Sequence, residues 1–336
     1  MENNQQLLSI LTREGVLINV NISYWRGCKK LKPEDLGLEA AKVSDRLISL
    51  GHKRLLPRDT MQKLALIEGR AHGLIEGNTF PFMGGLAHFL PNVKLEEVTA
   101  KLERLREEFW SAKVEFLKSY GELRDKASHE WYEMARKLVH DPERVVANIE
   151  ASFPLPDQMD RYYNFATHLF QIAVPEKMGM GLLALGEQQE IIQARQRAAQ
   201  EAASKIQQGV ESFVSDCVAS LREQTAKLCE EMLASIRTCE TGVHQKTLNR
   251  LTKFIDQFRS LNFVNDTEME EQLDQVKREL LSRTAEEYRD SATARTHLVS
   301  GLTQLADHAR QLAQQDAAEL VQRFGQMGVR KFHLAA

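Results

Sequence analysis

Alternating apolar and polar positions predict a small sheet in the first half of the chain. Residues 16–25 alternate between apolar side chains and a mostly polar second set, which is typical of a half-buried strand. Residues 163–174 predict another strand, and a Gly84-Gly85 turn flanked by phenylalanines within 78–92 predicts a hairpin. Because two strands alone are marginally stable in water, we expect these segments to form one short antiparallel sheet.

Spacings of three and four residues predict a long helix over about 93–140. Its apolar positions run without a break from Leu95 to Phe116, which indicates a coiled-coil seam packed along a partner helix. Shorter helices are predicted to begin near Pro33, near Asp59 and after Asp141, because acidic residues and proline favour a helix start.

The second half of the chain predicts long helices. No proline follows Pro175, so the backbone beyond it is free to form continuous helix. Between Glu187 and Glu240 the apolar spacing predicts one helix roughly 80 Å long, which cannot bury its apolar face alone. That face needs an antiparallel partner, within the chain or in a second copy, and a helix capped by Thr267 and Glu270 is one candidate. We predict an interaction seam formed by Val210, Phe213, Leu221, Leu228, Met232 and Ile236.

Together these patterns predict a mainly α protein with two domains. Residues 1–175 are expected to form a mixed α+β domain that carries the short antiparallel sheet and the inserted coiled-coil helix. Residues 176–336 are expected to form an arm of long antiparallel helices, as a coiled coil or helical bundle. A length of 336 residues agrees with two domains.

The charge is balanced over the whole chain but uneven along it. Lys and Arg number 44 against 47 Asp and Glu, so the net charge is −3. Residues 21–63 nevertheless have a local basic excess, and aromatic residues lie close to it. Basic residues interleaved with aromatic ones bind single-stranded nucleic acid, although such a cluster is also typical of a solvated rim. The candidate nucleic-acid-binding residues are Lys29, Lys30, Lys32, Lys53, Arg54, Arg58 and Trp25.

The sequence contains no familiar catalytic or metal-binding motif. The four cysteines form no CxxC pair, and no phosphate-binding glycine loop, HExxH or GxSxG motif occurs. We therefore expect no enzyme activity, no cofactor and no metal. A hydrolase site around Arg70, His72 and His88 is a weaker hypothesis. With no secretory signal and no apolar run near the ~20 residues of a spanning helix, a cytoplasmic protein without membrane contact is expected.

Three segments resemble a bacterial and phage domain family. They are GVLINVNISYWRGCKKLKPEDLG at 15–37, FMGGLAHFLP at 82–91 and the helix LxxLxxEFWSAKVEFLKSY at 102–120. Members of that family are often encoded beside MoxR-type AAA+ ATPases and cobaltochelatase-like proteins with a von Willebrand factor A-type domain. The resemblance implies a mobile element or phage, with an ATPase and an adaptor as neighbours. It supplies no catalytic residues.

These observations lead to two functional hypotheses. The first is a non-enzymatic scaffold or adaptor, an accessory component of a MoxR-type AAA+ ATPase system. Its helical arm would self-associate into an oligomer or dock onto the ATPase complex, while the sheet-containing domain provides the recognition surface. The second hypothesis is a nucleic-acid-binding protein that uses the basic surface of residues 21–63.

Overall fold

The α-helices and strands of the chain include most of those predicted, in the same order along the sequence. The computed structural model describes residues 2–36, 50–171, 189–238, 242–315, 317 and 319–324. The α-helices of these residues are α1 (Glu2–Glu14), α2 (Gln62–Glu76), α3 (Asn92–Leu138), α4 (Pro142–Glu150), α5 (Gln189–Thr238), α6 (Gln245–Leu261), α7 (Thr267–Leu280), α8 (Ala285–Asp290) and α9 (Ala292–Gln314). The strands are β1 (Gly15–Ser23), β2 (Cys28–Lys30), β3 (His52–Arg54), β4 (Phe80–Phe82), β5 (Ala87–Pro91) and β6 (Asn164–Phe170). The predicted class, mainly α with a small antiparallel sheet, is confirmed.

The chain divides into two units that are interleaved along the sequence. The first unit contains Met1–Ile18, Asn78–Glu96 and Leu169–Ala336. The second unit contains Asn19–Gly77 and Glu97–His168. A single boundary near residue 175 does not separate them, because α1, the start of β1 and the β4–β5 hairpin group with the long C-terminal helices.

The first unit is built on α5, which is 50 residues long as the spacing predicts. Helix α9 packs along α5, and α1, α6 and α7 complete the contacts around this pair. Close packing of α9 on α7 depends on Gly301, since a Cβ there would lie only 2.6 Å from Cδ1 of Leu280. The core is apolar and continuous over these helices, so the long helix finds its partners within its own chain.

A three-stranded part of the sheet belongs to the first unit. Strand β5 pairs antiparallel with β4 on one side and with the first residues of β1 on the other. The predicted hairpin is confirmed, and its turn uses positive φ angles of 46° at Met83, 69° at Gly84 and 87° at Gly85. Phe82 and Phe89 pack against Phe213 of α5. The centroid of the Phe213 ring lies 4.9 Å from that of Phe82 and 5.5 Å from that of Phe89. The hairpin is therefore part of the helical core.

The predicted cap of α7 is wrong by one residue. Asp266, instead of Thr267, is the N-cap, and its carboxylate accepts a hydrogen bond from the backbone N of Met269 at 3.3 Å. The same carboxylate pairs with the Arg222 guanidinium at 2.7 Å, and both side chains are at most 5 % exposed. Arg222 also donates to the backbone O of Leu312 at 2.8 Å. One buried arginine thus joins α5 to the start of α7 and the end of α9.

The second unit is organised around an aromatic cluster on α3. The second half of β1 lies beside β6, and β2 pairs antiparallel with β3. The Trp25 ring lies 6.1 Å from Phe116, 5.7 Å from Tyr120 and 6.2 Å from Phe153. The Tyr120 hydroxyl donates to a backbone oxygen at 2.7 Å, so its polar end is satisfied inside the cluster.

The remaining predicted helix starts of this unit have mixed outcomes. Asp141 caps α4 as predicted, accepting a hydrogen bond from the backbone N of Arg144 at 3.1 Å. Pro33 begins a short 3-10 turn, and the rest of the helix predicted there lies outside the described residues. A 3-10 turn over Arg58–Met61 precedes α2, so Asp59 does not cap that helix.

Candidate functional site

The second unit contains a surface cavity of about 730 Å³ that gathers arginine and apolar side chains. The residues after β1, the end of β3, the 3-10 turn and the first turns of α2 all contribute to its wall. Its lining residues are Tyr24, Arg26, Arg54, Leu56, Arg58, Asp59, Met61, Gln62, Ala65 and Leu66. A volume of this size lies within the range of ligand-binding cavities.

A glycine turn brings the two basic segments of the cavity together. Gly27 has a φ of +63°, a conformation that favours glycine. Its carbonyl oxygen accepts hydrogen bonds from the backbone N atoms of Leu55 at 2.7 Å and Leu56 at 3.3 Å. The segment after β1 is thereby fixed beside the segment after β3. The Trp131 indole of α3 donates to the backbone O of Arg54 at 3.1 Å, which anchors the second segment from behind.

Arg26 is held in place by a bidentate ion pair. Its guanidinium donates to the two carboxylate oxygens of Glu68 at 2.8 and 2.7 Å, and it lies 4.1 Å from the centre of the Tyr24 ring. Hydrogen bonding from Arg26 lowers the pKa of Glu68. Burial, followed by the nearby Glu68 charge, raises the pKa of Tyr24 to about 12. The Tyr24 hydroxyl therefore stays protonated at neutral pH and acts as a hydrogen-bond donor.

Arg54 and Arg58 are the available cations of the cavity. Both side chains are exposed, and neither forms an ion pair in the part of the chain that the structure describes. Planar guanidinium groups bind carboxylates and phosphates through paired hydrogen bonds. Beside them lie the apolar side chains of the cavity, of which Leu66 is 60 % exposed. The cavity can therefore bind a ligand that combines negative charge with an apolar group.

The structure divides the predicted nucleic-acid-binding residues into two groups. Lys29, Lys30 and Lys32 are exposed on β2 and just after it, and Arg54 and Arg58 are exposed in the cavity. The other two, Trp25 and Lys53, are buried.

The burial of Trp25 and Lys53 corrects their assignment to the basic surface. Trp25 is 5 % exposed within the aromatic cluster, so its ring has no free face on which a base can stack. The Lys53 ammonium lies 2.6 Å from the Asp35 carboxylate, with both side chains at most 5 % exposed. Alternation along β3 explains the burial of Lys53, because the middle residue of this three-residue strand points inward.

The residues that complete the cavity were only partly indicated by the sequence. Arg26 and Tyr24 adjoin the predicted basic cluster, but Glu68 follows 42 residues later on another element, and no local spacing connects it to Arg26. Arg70 pairs with Glu108 of α3 at 2.5 Å, and His72 is exposed on α2. His88 belongs to the first unit, and its Nδ1 lies 3.2 Å from the Thr79 hydroxyl.

The predicted interaction seam is buried inside the first unit. All six of its residues are at most 6 % exposed, and they belong to the continuous core shared with α1, α7 and α9. The seam is therefore closed within the chain and offers no free surface to a second copy. Cys217 and Cys229 lie in the same core, where burial raises the pKa of both thiols, that of Cys229 to about 12. Cys239 lies outside the described residues.

Neither a metal-binding cluster nor a membrane-spanning helix is found among the described residues. No group of three histidine, cysteine, aspartate or glutamate side chains is arranged there to hold a metal ion. None of the helices in the described ranges combines the length and the hydropathy required to cross a membrane.

Comparison with known proteins assigns the chain to one family. No curated protein matches it, and no solved structure matches it. A family model described as a protein of unknown function, DUF3150, matches residues 12–307, which include all of the second unit and most of the first. The chain therefore belongs to the DUF3150 family.

Proposed function

We propose that the protein is a non-enzymatic scaffold or adaptor whose second unit recognises an acidic segment of a partner protein. The observation that carries this proposal is the cavity in which Arg54 and Arg58 stand beside apolar side chains. An acidic segment with one or two apolar residues can contact both the charged and the apolar lining of the cavity. Its carboxylates would bind the guanidinium groups, and its apolar side chains would pack near Leu66.

The cavity is fixed before any partner arrives. Gly27 and the Trp131 hydrogen bond hold the backbone of its two basic segments, and Glu68 holds Arg26. A wall that is already ordered loses little conformational entropy on binding, which favours affinity. Arg26 is neutralised by its partner, so the binding charge belongs to Arg54 and Arg58.

The partner that we propose is an AAA+ ATPase of the MoxR type or its von Willebrand factor A-type adaptor. This part of the proposal rests on the resemblance of the segments at 15–37, 82–91 and 102–120 to a family encoded beside such proteins. The setting on a mobile element or phage and the cytoplasmic location belong to the same proposal. Any self-association must use a surface other than the buried seam, because the chain's own helices already cover that seam.

Quantitative affinity capture from the native host tests this proposal. The wild-type protein and the variant Arg54→Ala/Arg58→Ala would carry the same tag, and co-eluting proteins would be quantified by mass spectrometry. We expect the double variant to lose an acidic partner more than ten-fold, because each charge-assisted contact is worth about 1.5–3 kcal/mol. The matched control, Lys29→Ala/Lys30→Ala, removes the same charge from β2 and should retain that partner. Equal recovery by both variants would reject the cavity as the recognition surface.

The alternative function, nucleic-acid binding by residues 21–63, retains a specific basis. Lys29, Lys30 and Lys32 are exposed on and beside one short strand. A titration at several salt concentrations tests it, since phosphate contacts give affinities that fall steeply with salt. The variant Lys29→Gln/Lys30→Gln/Lys32→Gln should then lose binding, and unchanged binding by this variant would reject that surface.

A further inference from the structure

A second large depression belongs to the first unit, on the surface of α5 and α6. This groove has a volume of about 810 Å³. Its lining residues are Gln224, Lys227, Leu228, Glu231, Lys246, Asn249, Arg250, Lys253, Phe254 and Gln257. None of these belongs to the cavity of the second unit or to the basic segment of residues 21–63.

The groove has an excess of positive charge. Arg250 pairs with Glu231, the acidic residue of the lining, at 2.6 Å, so these two charges neutralise each other. Lys227, Lys246 and Lys253 remain, and they make no ion pair within the described ranges. All three ammonium groups are on exposed side chains and can bind an anion without breaking an existing contact.

The three lysines are placed on both walls of the groove. Lys227 belongs to α5, whereas Lys246 and Lys253 are two turns apart on one face of α6, a rise of about 10 Å. An extended anion lying along α6 would therefore meet successive positive charges.

Phe254 provides an aromatic surface within the same groove. It lies one helical turn from Arg250 on α6, and the buried Leu228 of α5 lines the same groove. Phe254 is only partly buried, so part of its ring faces the groove. A positively charged groove with an aromatic side chain is the arrangement by which proteins bind single strands without reading their sequence.

We propose that this groove binds single-stranded nucleic acid, with phosphates on Lys227, Lys246 and Lys253 and a base stacked on Phe254. An acidic amphipathic helix of a partner protein is less suited to it. Such a helix needs a row of three or four apolar contacts, while this groove offers one partly exposed ring above a leucine that is 6 % exposed. The inference is independent of the proposed recognition of an acidic segment by the second unit.

Fluorescence anisotropy with labelled 20-nucleotide oligo-dT and oligo-rU tests the inference on the full chain. The two probes share the phosphate chemistry and decide between DNA and RNA as the strand. Three phosphate contacts predict that affinity falls about 20-fold between 50 and 200 mM salt, from a slope of roughly −0.7 per contact on single strands. Absence of binding to both probes at 50 mM salt would overturn the inference.

Two variants separate the groove from the other basic surface. Lys227→Gln/Lys246→Gln/Lys253→Gln should abolish binding and its salt dependence, while Lys29→Gln/Lys30→Gln/Lys32→Gln should leave both unchanged. The reverse outcome would move the binding site to residues 21–63 and overturn the inference. All six lysines are exposed, and circular dichroism would verify that both variants remain folded.

Two further measurements test the stacking and the chemistry of the ligand. Phe254→Leu keeps an apolar side chain of similar packing and should weaken oligo-dT binding about ten-fold, because it removes the base platform. Oligo-glutamate of 20 residues should bind at least ten-fold more weakly than oligo-dT. Equal affinity for the two polyanions would point to an acidic protein segment as the occupant and overturn the inference.

Discussion

The two units of this chain bury their apolar residues in different ways. In the first unit, one 50-residue helix is covered by α9 and its neighbours over a continuous aliphatic core. In the second unit, shorter elements surround a cluster of aromatic rings on α3, and turns with exposed arginines form the wall of a cavity. Regular apolar spacing therefore leads to a buried seam in the first unit, while turns carry the exposed arginines of the cavity in the second unit.

Both units also contain a buried ion pair. The first unit holds the Arg222–Asp266 pair between three helices, and the second unit holds the Lys53–Asp35 pair beside β3. In both units a basic residue that would be expected on the surface from sequence alone is buried and stabilises the fold. Its burial can be recognised here only from the acidic residue with which it pairs.

The largest effect is expected from removing the charged contact of the first unit. Arg222→Ala leaves the Asp266 carboxylate buried without its partner and the Leu312 carbonyl without its donor. We expect a loss of about 3–5 kcal/mol in the free energy of unfolding. Urea unfolding followed by circular dichroism measures it.

Arg250→Ala is the matched control for that substitution. It breaks the exposed pair with Glu231, whose side chains are 60 % and 42 % exposed, and should cost less than about 1 kcal/mol. Equal costs for Arg222→Ala and Arg250→Ala would contradict the structural role of the buried pair.

A somewhat smaller effect is expected from the aromatic cluster of the second unit. Trp25→Leu removes the ring that contacts Phe116, Tyr120 and Phe153, and should cost about 2–3 kcal/mol through lost packing. Trp110 and Trp131 both belong to this unit, so their fluorescence during urea unfolding reports the change. A stability equal to that of the wild type would show that Trp25 is not packed in the cluster.

A smaller and pH-dependent effect is expected at the ion pair behind the cavity. Arg26 lowers the pKa of Glu68 below its ordinary value of 4.5, so the charged pair stabilises the fold above that pH. The contribution is lost as the pH falls through the lowered pKa. Glu68→Gln should therefore cost about 1 kcal/mol at pH 7, a value reduced by the partial exposure of Arg26.

The pH series supplies its own control. Wild type and Glu68→Gln should become equally stable at a pH below the lowered pKa of Glu68. The Glu68 carboxyl group of the wild type is then uncharged in both the folded and the unfolded protein. A difference that persists unchanged at acid pH would mean that Glu68 acts through packing instead of charge.

The regular elements were predictable because their apolar spacing is a local property. The long helices α3 and α5, the strand β1 and the hairpin before Asn92 were all indicated by periodicity or glycine placement. The grouping of α1 and the β4–β5 hairpin with the C-terminal helices was not predictable in this way. It depends on which apolar faces pack together across long distances in the sequence. Sequence spacing also indicated the seam of α5, but it left open whether the chain itself or a second copy would cover that seam.

The candidate site was predictable only in outline. The basic segment of residues 21–63 includes Arg54 and Arg58, which line the cavity. The inward turn of Trp25 and Lys53 depends on their partners, Tyr120 and Asp35, which the sequence does not connect to them. The groove on α5 and α6 was missed because its lysines are spread over two helices that are separated along the sequence.

The first unit closes its long apolar seam within the chain, while the second unit leaves its turns accessible. Alkylation of the native protein by iodoacetamide, with peptide mapping by mass spectrometry, tests it most directly. Cys28 is exposed on β2, whereas Cys217 and Cys229 are buried in the seam with raised thiol pKa values. We expect rapid labelling of Cys28 and at least hundred-fold slower labelling of Cys217 and Cys229 until urea unfolds the protein. Labelling of all three at similar rates in the native state would contradict it.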